Sequence, residues 1–197
     1  MKFKLFDTEI YISFLFAATV TIMLLTDKTG YMLPALFAII MHETGHLFVM
    51  WLLECSPKRI KLIPASVQIT APFGKRYRND ILIAVSGPAV NIVLFLTLYF
   101  NFSAFGNKIT LYFALLNLVI GLFNLLPVKG LDGGTILFCL LEKFRGPDKA
   151  ALTLKIITLG LAVFVIITAV TLTLRGKFNL SVFIMGIYLF IMGLLKI

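Results

Sequence analysis

The stretch that decides the fold is YMLPALFAIIMHETGHLFVMWLL, residues 31–53, an apolar run long enough to cross a bilayer that nevertheless contains a polar cluster. The cluster is His42-Glu43-Thr44-Gly45-His46, and it holds both histidines of the chain. Positions i and i+4 lie on one face of a helix, so both imidazoles can reach a single metal ion. Glu43 follows His42 and is expected to project toward the open side of that ion.

This spacing favours zinc, which supplies a Lewis acid and lowers the pKa of bound water toward neutrality. Glu43 is then the candidate general base. The alternative is that the motif arises by chance and its histidines are ordinary polar residues of an exposed helix. A cluster of ionisable groups in mid-membrane is costly and persists mainly where it pairs, binds an ion or works. The membrane setting therefore favours a metal site.

Composition places the chain among polytopic membrane proteins. It is 60% hydrophobic and only 14% charged, with a mean hydropathy of +1.01, whereas soluble domains are about a quarter charged. The net charge is +9, and most basic residues lie in loops between apolar spans, so membrane orientation explains them better than nucleic-acid binding.

Cys55 and Cys139 form neither a CxxC pair nor a disulfide framework and are expected to be reduced. The first apolar span has no small-residue cleavage site and is expected to remain as a helix.

Hydropathy predicts an all-α membrane protein with six transmembrane helices in a single domain, residues 1–197. The spans are residues 10–25, 31–53, 81–100, 109–126, 152–172 and 180–195. Basic residues cluster before the first span, after the second and after the fourth: Lys2, Lys4, Lys58, Arg59, Lys61, Lys75, Arg76, Arg78, Lys129, Lys143, Arg145, Lys149 and Lys155. The positive-inside rule therefore predicts that both termini and the two large basic loops are cytoplasmic.

A zinc site of this kind needs a third protein ligand and one open position. Asp132 is the candidate, because it follows a helix broken at Pro127 and lies among glycines, and irregular backbone at membrane depth occurs only where protein covers it or where it lines a wet cavity. The alternative is that Asp132 caps a helix starting at Thr135. Glu142 would have to replace it in a site with a glutamate ligand, but residues 139–145 are typical of the cytoplasmic end of a helix.

Three motifs in this order, HETGH at 42–46, GPAVN at 87–91 and NLLPVKGLDGG at 124–134, resemble the site-2 family of intramembrane zinc metalloproteases over residues 30–145. The resemblance is greatest to the branch of stage IV sporulation protein FB. It implies that His42, His46 and Asp132 bind zinc and that Glu43 activates water. It also implies that Asn124 holds substrate or the developing oxyanion; an interhelical hydrogen bond is the other reading of Asn124.

Two further segments have structural interpretations. Gly87 and Pro88 are expected to interrupt the third span and allow close helix packing. We interpret Asn91 as bonding a backbone group freed by Pro88, in preference to orienting a metal ligand. Residues 59–72 are rich in Ile, Val and Thr and predict a small membrane-associated β-hairpin or sheet after the second helix. Such a strand could pair with an unwound substrate, although a basic interfacial loop is the simpler alternative.

The resemblance implies an intramembrane endopeptidase of the bacterial cell membrane, acting on a membrane-bound protein such as a sporulation sigma factor precursor. No PDZ-like insertion and no CBS-type nucleotide-sensing domain is expected, so control would come from partners such as inhibitory membrane proteins. An inactive relative acting as a binding module is one alternative. A metal transporter is another, although few other intramembrane polar residues could line a path and no inverted repeat is evident.

Overall fold

The computed structural model describes residues 2–5, 8–55, 57, 59–63, 66–70 and 77–194. Clustering of contacts divides the chain into two compact units, Met1–Phe123 and Asn124–Ile197. Within the described ranges the elements are, in chain order, β1 Lys2–Leu5, β2 Thr8–Ile12, α1 Phe14–Thr26, α2 Met32–Leu52, β3 Arg59–Ile63, β4 Ser66–Thr70, α3 Tyr77–Phe105, α4 Lys108–Asn124, α5 Asp132–Arg145, α6 Pro147–Leu174 and α7 Leu180–Leu194.

Three of the described helices are both long and apolar enough to cross a membrane, namely α2, α3 and α6. Helices α1, α4 and α7 are apolar but have only 13, 17 and 15 residues. At about 1.5 Å per residue they fall short of a hydrocarbon core about 30 Å thick. An additional helix, α5, follows the fourth predicted span. The count of six spanning helices therefore stays a prediction.

The start of the first predicted span was wrong. Residues 10–12 belong to strand β2, and helix α1 begins only at Phe14. The segment Thr8–Ile12 alternates and is rich in β-branched and aromatic residues, which favour strands when a partner strand is present. Hydropathy alone cannot separate such a strand from the first turn of a helix.

The four described strands form one sheet in the order β1-β2-β3-β4. The pairs β1–β2 and β3–β4 are antiparallel, whereas β2 and β3 run parallel. Glu9 lies opposite Arg59 in the parallel pair, and Arg59 donates two hydrogen bonds to Glu9 Oε2, at 3.0 Å from Nε and 2.8 Å from Nη2. This guanidinium holds the pKa of the Glu9 carboxyl below its usual range. The sheet thus joins the N-terminal strands to the residue range 59–72, where the sequence predicts strands.

Helices α2 and α3 approach each other closely in the first unit. A Cβ on Gly45 would lie 2.8 Å from the Ser86 carbonyl oxygen and 3.2 Å from Gly87 Cα, so a larger residue would push the two backbones apart. Helix α3 continues through Pro88. The predicted interruption of the third span at Gly87 and Pro88 was therefore wrong, while the close packing predicted there is present.

In the second unit, α6 and α7 hold the turn that precedes α5. Val128 in this turn is fully buried and packs in one cluster with Ala162 and Leu189. The backbone N–H of Lys129 donates to Thr158 Oγ1 at 3.0 Å. Apolar packing and a partly buried hydrogen bond therefore fix the backbone just ahead of Asp132.

Candidate metal centre

Two buried imidazoles face each other on helix α2. His42 is 5% exposed and His46 is 7% exposed, and their Nε2 atoms are 3.2 Å apart. Two neutral imidazoles at this distance form a hydrogen bond only if one of the two Nε2 atoms carries a proton. The partners of the Nδ1 atoms show which ring nitrogens are protonated.

Each Nδ1 atom is held by a group on helix α3. The Ile83 carbonyl oxygen lies 2.7 Å from His46 Nδ1, and because a carbonyl can only accept, that nitrogen carries the proton. Asn91 Oδ1 lies 2.6 Å from His42 Nδ1 and accepts its proton in the same way. A neutral imidazole has one N–H, so both Nε2 atoms present lone pairs to each other.

This donor pair suits a zinc ion. Two facing lone pairs repel each other unless a cation lies between them. Tetrahedral zinc with Zn–N bonds of about 2.0–2.1 Å would hold two nitrogens about 3.3 Å apart, close to the observed 3.2 Å. The interpretation of Asn91 as serving freed backbone must also be corrected, because its side chain orients His42.

Gly87 leaves the space in which the imidazoles lie. A Cβ at this position would overlap His46 Nε2, and it would lie 2.6 Å from His46 Cε1 and 2.9 Å from His42 Cε1. The glycine of the GPAVN motif is therefore needed by the histidines and not only by helix packing.

Asp132 is the first residue of α5, and the N-cap position belongs to Leu131. The alternative in which Asp132 caps a helix starting at Thr135 was therefore wrong. A carboxylate in the first turn is favoured by the positive end of the helix dipole. Asp132 belongs to the second unit, and its role as the third ligand beside His42 and His46 stays a prediction.

The remaining candidates lie on three different helices. Glu43 is half-buried on α2, and Asn124 is half-buried as the last residue of α4. Glu142 belongs to the last turns of α5 and is not among the described residues grouped as metal ligands. The catalytic roles of Glu43 and Asn124 stay predictions.

Sequence reasoning missed two contributors to this centre. The Ile83 carbonyl is a backbone group, and no residue type marks it in advance. Asn117 on α4 hydrogen-bonds Asn91. A lone amide in the apolar segment KITLYFALLNLVIGLFN was a usable signal, since polar side chains inside membrane helices usually have a partner or a function.

The fold of apolar helices that carries this histidine pair is similar to that of a solved membrane protease. The solved structure of the site-2 protease from Methanocaldococcus jannaschii superposes with a TM-score of 0.74, covering 100% of this chain and 97% of the other at 20% identity. The family model described as peptidase family M50 matches residues 103–168.

Two curated relatives match part of this chain. Zinc metalloprotease MJ0392 of Methanocaldococcus jannaschii is 28% identical over 149 residues, which is 70% of this chain and 43% of the relative. Stage IV sporulation protein FB of Bacillus subtilis is 28% identical over 124 residues, 61% of this chain and 43% of the relative. The chain thus spans less than half the length of these relatives. The chain is therefore similar to peptidase family M50 and to the site-2 proteases.

Proposed function

We propose that this chain is a zinc endopeptidase that cleaves a membrane-bound protein within or beside the bilayer. The observation that carries the proposal is the histidine pair, whose Nδ1 atoms are both held by acceptors while the Nε2 atoms face each other at 3.2 Å. His42, His46 and Asp132 would hold the ion. Two neutral imidazoles and a carboxylate form a donor set that hydrolytic zinc sites use.

When bound, zinc supplies Lewis-acid polarisation and makes water acidic enough to act as a nucleophile near neutral pH. Glu43 would accept a proton from the attacking water and pass it to the leaving amine. Asn124 donates its amide N–H to the carbonyl oxygen on which negative charge develops. Burial of the two histidines excludes bulk water and strengthens these interactions.

Strand β4 is the element we propose for holding substrate. A transmembrane helix hides its peptide bonds in its own hydrogen bonds, so it must be extended before cleavage. β4 lies at one end of the strand order, where its outer backbone groups can pair with an extended segment. Association of this sheet with the membrane surface is part of the proposal, and basic residues such as Lys61 suit an anionic surface.

The similarity to stage IV sporulation protein FB suggests the first substrate to test, a membrane-associated precursor of a sporulation sigma factor. Inhibitory membrane proteins are the partners we propose for control. The location we propose is the bacterial cell membrane. The lipid bilayer is a further partner that we propose. Large apolar side chains on the helices, such as Phe100 and Phe164, are 69% and 67% exposed, and lipid would cover them.

The test compares cleavage with zinc content. Wild type and Glu43→Gln are co-expressed with a tagged, membrane-bound sigma factor precursor, and a shorter soluble product is sought by immunoblotting. Zinc is measured by mass spectrometry on both purified proteins. We expect wild type to cleave and Glu43→Gln to lose at least about 100-fold of the activity, with zinc retained in both.

Two carboxylate variants distinguish the proposed zinc ligand from a carboxylate that has no role in the site. Asp132→Asn should lose zinc together with activity, whereas Asp148→Asn should change neither, because Asp148 is exposed in the first turn of α6. Full activity of Glu43→Gln would overturn the mechanism. A zinc-loaded wild type that leaves the precursor intact would reject this substrate and keep the metal centre.

A further inference from the structure

A chain of buried amides begins on helix α4 at Asn117. Its Nδ2 donates to the Phe113 carbonyl oxygen at 2.9 Å. Because that carbonyl can only accept, the nitrogen of the Asn117 amide must face Phe113. The amide oxygen is thereby turned toward helix α3.

Asn91 on α3 continues the chain. Its Nδ2 donates to Asn117 Oδ1 at 2.9 Å and to the Ala38 carbonyl oxygen at 3.2 Å. Both of these partners are oxygens that can only accept, so the nitrogen of the Asn91 amide is fixed on their side. Asn91 Oδ1 must then point at His42 Nδ1, 2.6 Å away.

The chain is closely packed. Asn91 and Asn117 are both 0% exposed. A Cβ on Gly121, one turn after Asn117, would lie 3.2 Å from Asn91 Cβ and 3.3 Å from the Pro88 carbonyl oxygen. Helix α4 can approach α3 this closely because Gly121 has no side chain. The hydrogen bond between the Asn91 and Asn117 side chains then joins the two helices. Because both amides are buried, water cannot replace a lost partner.

We propose that Asn117 is a positioning residue that sets the tautomer of His42 through Asn91. With its partners in place, Asn91 accepts from His42 Nδ1–H, and the lone pair of His42 Nε2 stays available for a metal. Without Asn117 Oδ1, one N–H of Asn91 loses its acceptor in a dry site. The flipped amide, with its nitrogen toward His42, then competes and requires Nδ1 to accept, which places the proton on Nε2.

The inference rests on the proposed function only in assigning a metal to His42, and it is tested by metal affinity and not by proteolysis. Zinc affinity is measured by chelator competition on detergent-purified wild type, Asn117→Ala, Asn91→Ala and the double variant. Loss of a partner behind a ligating histidine typically lowers affinity about 10- to 100-fold, and we expect a loss in this range for Asn117→Ala.

Non-additivity identifies the route. If Asn117 acts through Asn91, the double variant should bind zinc no more weakly than Asn91→Ala alone. The visible spectrum of the cobalt-substituted protein should also change in Asn117→Ala, because the geometry at His42 changes. Asn107→Ala is the matched control: it removes an asparagine that directly precedes α4 and whose Oδ1 accepts from the Ile109 N–H at 2.9 Å, and it should leave both readouts unchanged.

Asn117→Asp keeps the inference testable if the alanine variant fails to fold. A carboxyl group at a fully buried position favours its neutral form, so its O–H can replace the donor to Phe113 and its other oxygen still faces Asn91. It should restore zinc affinity to within about threefold of wild type, a smaller loss than that expected for a missing partner.

Unchanged affinity in Asn117→Ala, or additive losses in the double variant, would overturn the positioning role while leaving a zinc-loaded peptidase intact. A wild type that binds no zinc would overturn both proposals, and one that binds zinc but cleaves nothing would overturn only the proposed function.

Discussion

Gly87 bounds the space available to both imidazoles of the candidate metal centre. Its missing Cβ would overlap His46 Nε2 and lie 2.9 Å from His42 Cε1. The rings cannot simply move aside, because each is tied to α3 through its Nδ1 atom. The space for the metal ligands is thus set by α3, the helix that also orients them.

We therefore expect Gly87→Ala to lower zinc affinity at least about 10-fold, as disturbance of ligand orientation does in other zinc proteins. Zinc content and affinity of the purified proteins check this. Gly160→Ala is the matched control, since a Cβ there meets nothing within 4 Å. Alanine favours a helix by roughly 0.5–1 kcal/mol over glycine, so the control should be at least as heat-stable as wild type. Wild-type zinc affinity in Gly87→Ala would show that the rings do not occupy the assigned positions.

The sequence predicted candidate metal ligands but not the groups that orient their rings. His42 and His46 are identified by their i, i+4 spacing, and Asp132 by its place beside broken backbone. The acceptor for His46 is the carbonyl of Ile83, which depends on how α3 passes α2 and has no signature in residue type. Asn91 was noticed, but only three-dimensional contact could decide between serving freed backbone and serving His42.

The connection between α1 and α2 is ordered by one carboxylate. Asp27 Oδ1 accepts from the backbone N–H of Thr29 at 2.9 Å, from the Thr29 hydroxyl at 2.6 Å and from the Gly30 N–H at 3.1 Å. Asp27 Oδ2 accepts from the Met32 N–H at 2.8 Å, at the start of α2. The Thr29 hydroxyl and these backbone N–H groups lower the pKa of Asp27 below its ordinary value of 3.8.

A lowered pKa in the folded state means that Asp27 stabilises the fold above its unfolded pKa and loses this contribution as pH falls through the folded value. Thermal unfolding of wild type in detergent should therefore show an extra loss of stability below about pH 4. Asp27→Ala should be less stable at pH 7 and should lack that component of the pH dependence. Asp27→Asn keeps an acceptor oxygen but cannot titrate, so it should retain part of the stability without the component. Identical pH profiles in all three proteins would contradict the assignment.

Element boundaries followed from hydropathy where one long apolar run forms one helix. The predicted spans 31–53 and 180–195 correspond to α2 Met32–Leu52 and α7 Leu180–Leu194. Prediction failed where a partner element decides the structure, as in β2, which pairs with both β1 and β3. It also failed at Pro88, because α3 continues through that proline, as membrane helices can when neighbours satisfy the freed backbone.

At the scale of the whole molecule, the described helices expose an unusual amount of apolar surface. Large side chains on α3 and α6 are largely exposed, among them Phe100 at 69% and Leu174 at 82%. Soluble monomers rarely expose contiguous apolar patches of this kind, whereas a bilayer covers them. Threonine hydroxyls on the same helices donate to carbonyls four residues earlier, as from Thr97 to Val93 and from Thr168 to Phe164. These groups are therefore satisfied without water.

The orientation in the membrane is a property of the whole chain and follows from charge asymmetry between its loops. Basic residues are dense before α1, after α2 and around α5, and sparse in the loops that alternate with these. The positive-inside rule thus predicts that the segments near residues 107 and 177 face outward and that the start of α6 faces the cytoplasm. Impermeant thiol labelling of intact cells can test this.

In a background of Cys55→Ser with Cys139→Ala, single cysteines are placed at exposed positions 107, 149 and 177. We expect Asn107→Cys and Lys177→Cys to react with an impermeant maleimide in intact cells, and Lys149→Cys to react only after permeabilisation. Replacement of one or two lysines should not invert the topology, because several basic residues determine each side. Labelling of Lys149→Cys in intact cells would show that the orientation is the reverse of the predicted one. It would then place the basic residues around α5 outside, where the positive-inside rule does not put them.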